Sequence, residues 1–156
     1  MSPIALRPAK TSDLTALSAL CIASKAVWGY DEAFMEACRE ELTVRPTDLP
    51  GTVVATRDAD IVGMARIVFE GTVADLEKLY VHPTAIGAGV GRMLFNRCRD
   101  EALTRGAEKM TIEADPNAAS FYERMGAVMT STVPSGSIPG RFLPLLTLRL
   151  SEPVHS

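Results

Sequence analysis

The sequence predicts an α/β fold of the α+β kind, a mixed and mostly antiparallel twisted sheet flanked by about four helices. Three observations carry that reading. Strand-like runs follow one another between residues 52 and 81 with only short polar breaks, which leaves antiparallel pairing as their one option. A helix-length segment separates the third of these runs from a strand at Met110 to Glu113, enough chain for a parallel crossover. Apolar residues at helical spacing recur before, between and after the strands.

In chain order, a first strand at Ile4 to Arg7 is stopped by Pro8. A helix capped at Thr11 or Ser12 follows, with Asp13 in its first turn and Leu14, Leu17 and Cys21 on one face, fading near Gly29. Asp31 caps a second helix through Leu42, where Phe34, Met35, Cys38 and Leu42 form a stripe and Arg45-Pro46 ends the run. Thr52 to Arg57 and Ile61 to Phe69 form a hairpin about Asp58-Ala59-Asp60, and Val73 to Val81 extends it into a meander. His82-Pro83 breaks the third strand and leads into Gly87-Ala88-Gly89-Val90-Gly91. The helix that follows carries Val90, Met93, Leu94, Cys98 and Ala102 on one face and ends at Gly106. After the strand at Met110 to Glu113, Pro116 or Asn117 opens a short helix with Ala118, Phe121 and Met125 inward, stopped by Gly126. The strands Ala127 to Val133 and Phe142 to Leu150 close the chain, joined by a Pro- and Gly-punctuated loop over 134–140. The order is β-α-α-β-β-β-α-β-α-β-β in one domain over 1–156, without repeat or linker.

Length and composition agree. At 156 residues, 47% hydrophobic and 22% charged, the chain has globular usage and room for one sizeable core. A net charge of −3 with scattered Lys and Arg argues against nucleic acid as a partner. No apolar run reaches membrane-spanning length, and Met1-Ser2-Pro3-Ile4 lacks a signal-peptide design, so no membrane association and a cytoplasmic location are expected. Cys21, Cys38 and Cys98 are odd in number and fall in apolar helical patterns, which predicts small core residues with neither disulfides nor a metal site. His82 and His155 have no partner pattern and are read as structural.

The most informative stretch runs from Asp75 to Arg92, a strand feeding through glycines into a helix. The first amides of a helix lack internal partners and sit at its positive end, and residues without Cβ let those amides touch a phosphate. Gly87-Ala-Gly-Val-Gly91 matches neither a dinucleotide nor a P-loop fingerprint, so spacing alone leaves a plain strand-to-helix turn equally open.

With its flanks, Leu76-Glu-Lys-Leu-Tyr-Val-His-Pro83, the glycines and Gly91-Arg-Met-Leu-Phe95, this stretch resembles motif A of the GNAT superfamily of N-acetyltransferases. Downstream, Asn117-Ala-Ala-Ser-Phe-Tyr-Glu-Arg-Met-Gly126 resembles motif B. The resemblance covers nearly the whole chain. It implies a V-shaped split between the parallel strands ending near Val81 and Glu113, and acetyl-CoA as cosubstrate in that split. It implies that the amides of Gly87, Ala88, Gly89, Val90, Gly91 and Arg92 cradle the pyrophosphate. It also implies a β-bulge near Leu79, Tyr80 or Val81 that frees main-chain groups for the pantetheine arm and the thioester carbonyl. Ile86 stands where the family usually has Gln or Arg, and Gly87 where a basic residue is frequent, which lowers charge complementarity. Arg92 either restores some of it or is a solvated surface residue.

Acetyl transfer to an amine needs a deprotonated amine, a polarised thioester and a proton for the departing thiolate. The resemblance implies Glu77 as the general base, with Asp75 the alternative; on a regular strand both point to one face. Tyr122 is implied as the acid beside the coenzyme sulfur, and Asn117 as a coenzyme contact, an N-cap, or both. Trp28, Tyr30, Phe34, Ser137, Ile138 and Arg141 are implied for the acceptor pocket. The expected activity is N-acetylation of a small-molecule amine. Modification of a protein N-terminus or lysine, or acyl-CoA sensing without turnover, are the alternatives. Homodimers are common for the fold, and no residues here fix an interface.

Overall fold

The computed structural model describes residues 3–150. Seven strands form a single sheet: β1 (Ala5–Pro8), β2 (Thr52–Arg57), β3 (Asp60–Glu70), β4 (Val73–Val81), β5 (Lys109–Glu113), β6 (Val128–Pro134) and β7 (Phe142–Arg149). Their order is β1-β2-β3-β4-β5-β7-β6. Every neighbouring pair is antiparallel except β4 with β5, which run parallel through the crossover helix. The four α-helices are α1 (Leu14–Ala26), α2 (Glu32–Leu42), α3 (Val90–Thr104) and α4 (Ala119–Arg124).

The helices divide between the two faces of the sheet. On one, α1 and α2 cover Val54, Met64 and Tyr80 with Leu17, Leu20, Cys21, Cys38 and Leu42. On the other, α3 and α4 pack Val90, Leu94, Phe95, Cys98 and Tyr122 against Ala65, Ile67, Ala74 and Leu76. Close approach of α3 depends on Gly63, where a Cβ would lie 2.7 Å from the Val90 side chain. All three cysteines are buried and unpaired, in line with their apolar settings.

Local chemistry explains most element ends. Asp31 caps α2 by accepting a 2.8 Å bond from the Phe34 N–H. The β2–β3 turn places Asp58 and Ala59 at φ 52° and 73°, the positive-φ pair of a tight hairpin. At α1 the structure departs from the expected Thr11 or Ser12 cap. Residues Thr11–Asp13 form a 3-10 turn, and Asp13 turns back to accept from the Lys10 N–H at 2.7 Å and from Arg7 at 2.8 and 3.0 Å. The Arg7 hydrogen bonds hold the Asp13 carboxyl below its ordinary range despite burial.

Two irregularities shape the centre of the sheet. β4 pairs with β5 only from Val73 to Asp75, so beyond Asp75 it has no partner on that side and the sheet splits. On its other side the β3–β4 register passes from Ile67↔Leu76 to Arg66↔Lys78, leaving Glu77 as an inserted residue. This bulge lies upstream of the expected Leu79–Val81 position, and it reverses the side-chain alternation. Ala74 and Leu76 face α3 before it, and Leu79 and Val81 face α3 after it, while Tyr80 joins the α1–α2 side.

Candidate active site

The split opens into a cavity of about 670 Å³ that runs between the two faces of the sheet. One end is the turn into α3. Gly87 and Gly89 adopt φ of 87° and 82°, and Gly89 is the N-cap of α3 without a side-chain cap. Such backbone favours glycine and aims successive N–H groups outward. The Ala88 N–H is satisfied internally by Ala85 C=O at 3.2 Å, and the helical ladder begins with Met93 N–H to Gly89 C=O at 3.0 Å. The amides of Gly87, Gly89, Val90, Gly91 and Arg92 have no acceptor among the described residues. Five of the six amides singled out from the sequence are therefore free, and the sixth is spent on the turn. Arg92 and Arg124 line this end and make no ion pair among the described residues, which leaves it electropositive.

Along the middle, Leu79, Tyr80 and Val81 line the open side of β4, and Tyr122 on α4 lines the opposite wall. Tyr122 is 6% exposed, packs against Phe95 and Phe121, and its hydroxyl has no hydrogen-bond partner among the described residues. Burial, reinforced by Cys98, pushes its phenol well above the ordinary value, so it stays protonated at any working pH.

The far end is built from side chains brought together over long sequence distances. The Tyr30 hydroxyl contacts both Asp115 oxygens at 3.0 and 2.9 Å and accepts from Asn117 Nδ2 and Arg141 Nη2, each at 2.9 Å. Lys25 Nζ reaches Asp115 at 3.0 Å, and Arg141 lies 3.6 Å from the same carboxylate. The Tyr30 ring stacks on Phe34 at 3.9 Å, with the Arg141 guanidinium 4.8 Å from the Phe34 centroid. Burial pushes Asp115 up, but bonds from the Asn117 backbone N–H, Lys25 and Tyr30 outweigh it and hold the carboxyl below its ordinary value. Asp115 rather than Asn117 caps the 3-10 turn before α4, accepting the Asn117 N–H at 2.9 Å.

The remaining sequence-derived residues divide. Trp28 and Arg141 line the cavity, whereas Tyr30 and Phe34 stand behind its wall. Ser137 donates to Glu41, and Ile138 packs in the α1–α2 core; neither lines the cavity, and Ser135 of the same loop does. Glu77 lines it, and both its oxygens accept from Arg66 Nη1 at 2.8 and 2.9 Å, with Asp48 and Lys78 completing a charged cluster. Asp75 lies outside the cavity lining and accepts from Thr111 at 3.0 Å; burial raises its carboxyl. His82 caps a 3-10 turn through Thr84, and His155 lies outside the described residues.

The sequence reading passed over Glu41, Asp115 and Glu113, all of which line the cavity. Glu113, at the end of β5 on the lip opposite β4, lines the cavity with no hydrogen bond or ion pair among the described residues. Burial, then the charges of Asp75 and Glu41, raises its carboxyl. Its signal in the sequence was positional only: the last residue of the strand that flanks the split. Among the described residues no group of His, Cys, Asp and Glu side chains is arranged to hold a metal, and no helix is long and apolar enough to cross a membrane.

A parallel strand pair that splays beyond a bulge, with free helix-start amides at one mouth, defines a cleft of the anion-binding class. Comparison with known proteins gives the class its name. Residues 16–135 match the acetyltransferase (GNAT) domain family, and the chain belongs to that family. The GCN5-related N-acetyltransferase structure from Rhodopseudomonas palustris is 31% identical, with a TM-score of 0.80 over 96% of this chain and 98% of that one. The PaiA N-acetyltransferase of Thermoplasma acidophilum, solved with coenzyme A, shares the fold at 18% identity and a TM-score of 0.79 over 94% and 99% of the two chains. A curated relative, an IAA acetyltransferase of Azospirillum brasilense, is 35% identical over 79 residues. That match covers 47% of this chain and 52% of the relative, about half its length.

Proposed function

We propose that the chain is an acetyl-CoA-dependent N-acetyltransferase acting on the primary amine of a small molecule, through direct transfer in the split between β4 and β5. The observation that carries this reading is the set of unpartnered amides at Gly87, Gly89, Val90, Gly91 and Arg92 beside two unpaired arginines, a ready site for a diphosphate. When bound, acetyl-CoA supplies the activated acyl group as a thioester. The open edge of β4 from Leu79 to Val81 offers main-chain groups to the pantetheine arm. The fit extends to the coenzyme-bound relative named above, which has the same fold.

The chain's own groups supply the proton transfers. Glu113 takes a proton from the acceptor's ammonium and so frees the amine lone pair for attack, because it is the cavity-lining carboxylate whose oxygens are uncommitted and whose basicity is raised by its surroundings. Glu77, engaged by Arg66, holds the bulge and orients the wall. Tyr122 donates a hydrogen bond to the sulfur as it departs. Burial makes full proton loss from its phenol costly, so stabilisation of the thiolate by that bond is its main contribution.

A small acceptor is favoured over a protein segment because the Tyr30, Asp115, Asn117 and Arg141 network ties the β5–α4 connection, the α1–α2 connection and the β6–β7 loop together at the acceptor end. Coenzyme A release measured against panels of amines and peptides tests the reading. Turnover with small amines is expected; turnover with peptides alone overturns the small-acceptor assignment, and acetyl-CoA binding without any turnover would leave a sensor.

A further inference from the structure

Two phenols line the cavity, Tyr122 and Tyr80, and neither hydroxyl has a hydrogen-bond partner among the described residues. Tyr122 serves the departing sulfur, and Tyr80 is left without a task. The bulge at Glu77 decides where Tyr80 points. In an unbroken β4, residue 80 would share the face of Ala74 and Leu76, against α3; the inserted residue turns it to the α1–α2 side instead. The two phenols therefore enter the split from opposite faces of the sheet, Tyr80 from β4 and Tyr122 from α4.

The Tyr80 hydroxyl is deep but not sealed. Among the described residues, Asn96 Oδ1 is the one fully buried side-chain polar atom without a partner, so the Tyr80 oxygen opens on the cavity that its residue lines. Burial pushes its phenol well above the ordinary value, and Cys21, Glu41, Tyr122 and Asp115 add to that push. It stays a neutral phenol at any working pH, unfit as a base but able to accept a hydrogen bond. Its neighbours bracket it, with Tyr122 at the sulfur and Glu41 and Asp115 at the acceptor end. An amine approaching the thioester passes between them.

We propose that the Tyr80 oxygen accepts a hydrogen bond from the reacting nitrogen, and that Tyr80 is thereby the residue that selects primary over secondary amines. This rests on the acetyltransferase reading above. A primary ammonium has three N–H bonds. Glu113 takes one proton and frees the lone pair; a second proton passes to the departing thiolate as the nitrogen–carbon bond forms and the carbon–sulfur bond breaks; the third N–H survives in the amide. Tyr80 holds that third N–H and so fixes the direction of the lone pair. The bond strengthens as positive charge develops on the attacking nitrogen. A secondary ammonium spends both its N–H bonds on the two proton losses and has none left for Tyr80.

The test compares the best small amine with its N-methyl derivative, by coenzyme A release at saturating acetyl-CoA. The wild type should show kcat/KM about three- to tenfold higher for the primary amine, the scale of one hydrogen bond. Tyr80→Phe keeps the ring, so folding and acetyl-CoA affinity should hold, checked by thermal melt and calorimetry. It should lower the primary-amine value about three- to tenfold and leave the N-methyl value nearly unchanged, so that the preference collapses. Equal use of the two amines by the wild type overturns the proposal while leaving the acetyltransferase reading intact. An equal loss on both amines in the variant also overturns it, and so does a gain on the N-methyl amine alone, which would make Tyr80 a steric barrier. Absence of turnover with every amine overturns both.

Discussion

The two ends of the cavity are built by different means. At the α3 end the ligand-facing groups are main-chain amides, presented by a run of contiguous residues whose glycines adopt positive φ. At the acceptor end they are side chains: Lys25, Glu41, Asp115 and Arg141, held by bonds that span up to 111 residues of sequence, and Glu113, whose carboxylate has no partner among the described residues. The first kind of site follows from backbone geometry and tolerates the loss of particular side chains, which is why Ile86 and Gly87 in place of polar and basic residues do not remove it. The second depends on each member of its network, and a single charge change alters what it accepts.

That contrast can be broken from either end, and the largest effect is expected at the acceptor end. Glu113→Gln should lower kcat by about 10²-fold or more at neutral pH, with acetyl-CoA affinity nearly unchanged. The loss should shrink as pH rises and the amine deprotonates unaided. If Glu77→Gln costs more than Glu113→Gln, the base lies on β4 after all. At the α3 end, Gly89→Val forces a β-branched residue into the left-handed region, at about 1–2 kcal/mol or more, and should weaken acetyl-CoA roughly tenfold or more by calorimetry. A change confined to kcat would refute the amide cradle at that position. Tyr122→Phe should lower kcat about tenfold with acetyl-CoA affinity retained, since only the unpartnered hydroxyl is removed.

The last of these effects concerns stability. Asp115 is a carboxylate held below its ordinary value, so its contribution is present above the unfolded carboxylate pKa of roughly 3.9 and is lost as pH falls through the lower folded value. Asp115→Asn leaves Lys25 and Arg141 facing each other without neutralisation and should destabilise by about 1–3 kcal/mol near pH 7. The difference from wild type should narrow in the most acid range, as followed by denaturant unfolding. A constant difference across pH would mean that the network contributes packing rather than charge.

What the sequence made legible divides along the same line. Hydrophobic periodicity placed all seven strands and four helices, because each element's pattern is local, and the strand-to-helix glycines marked the amide cradle for the same reason. The bulge at Glu77 was displaced from its expected place, since the inserted residue reveals itself only through its partner strand: Arg66 and Ile67 set the register, not any feature of β4. Glu113 and Glu41 were missed because nothing local distinguishes a carboxylate without a cation from one with a cation. Their neighbours come from elsewhere in the chain. Tyr30 and Ser137 were found, yet their work is to hold Asp115 and Glu41 rather than to line the cavity, a distinction that only three-dimensional placement makes.

The central claim is that free amides between residues 87 and 92 receive the diphosphate of the coenzyme. Backbone amide NMR during titration with coenzyme A addresses it residue by residue. The account predicts large downfield proton shifts at Gly87, Gly89, Val90, Gly91 and Arg92, with Ala88, already bonded to Ala85, moving least within that run. Shifts of equal size across the run, or perturbation centred on another part of the sheet, would contradict it.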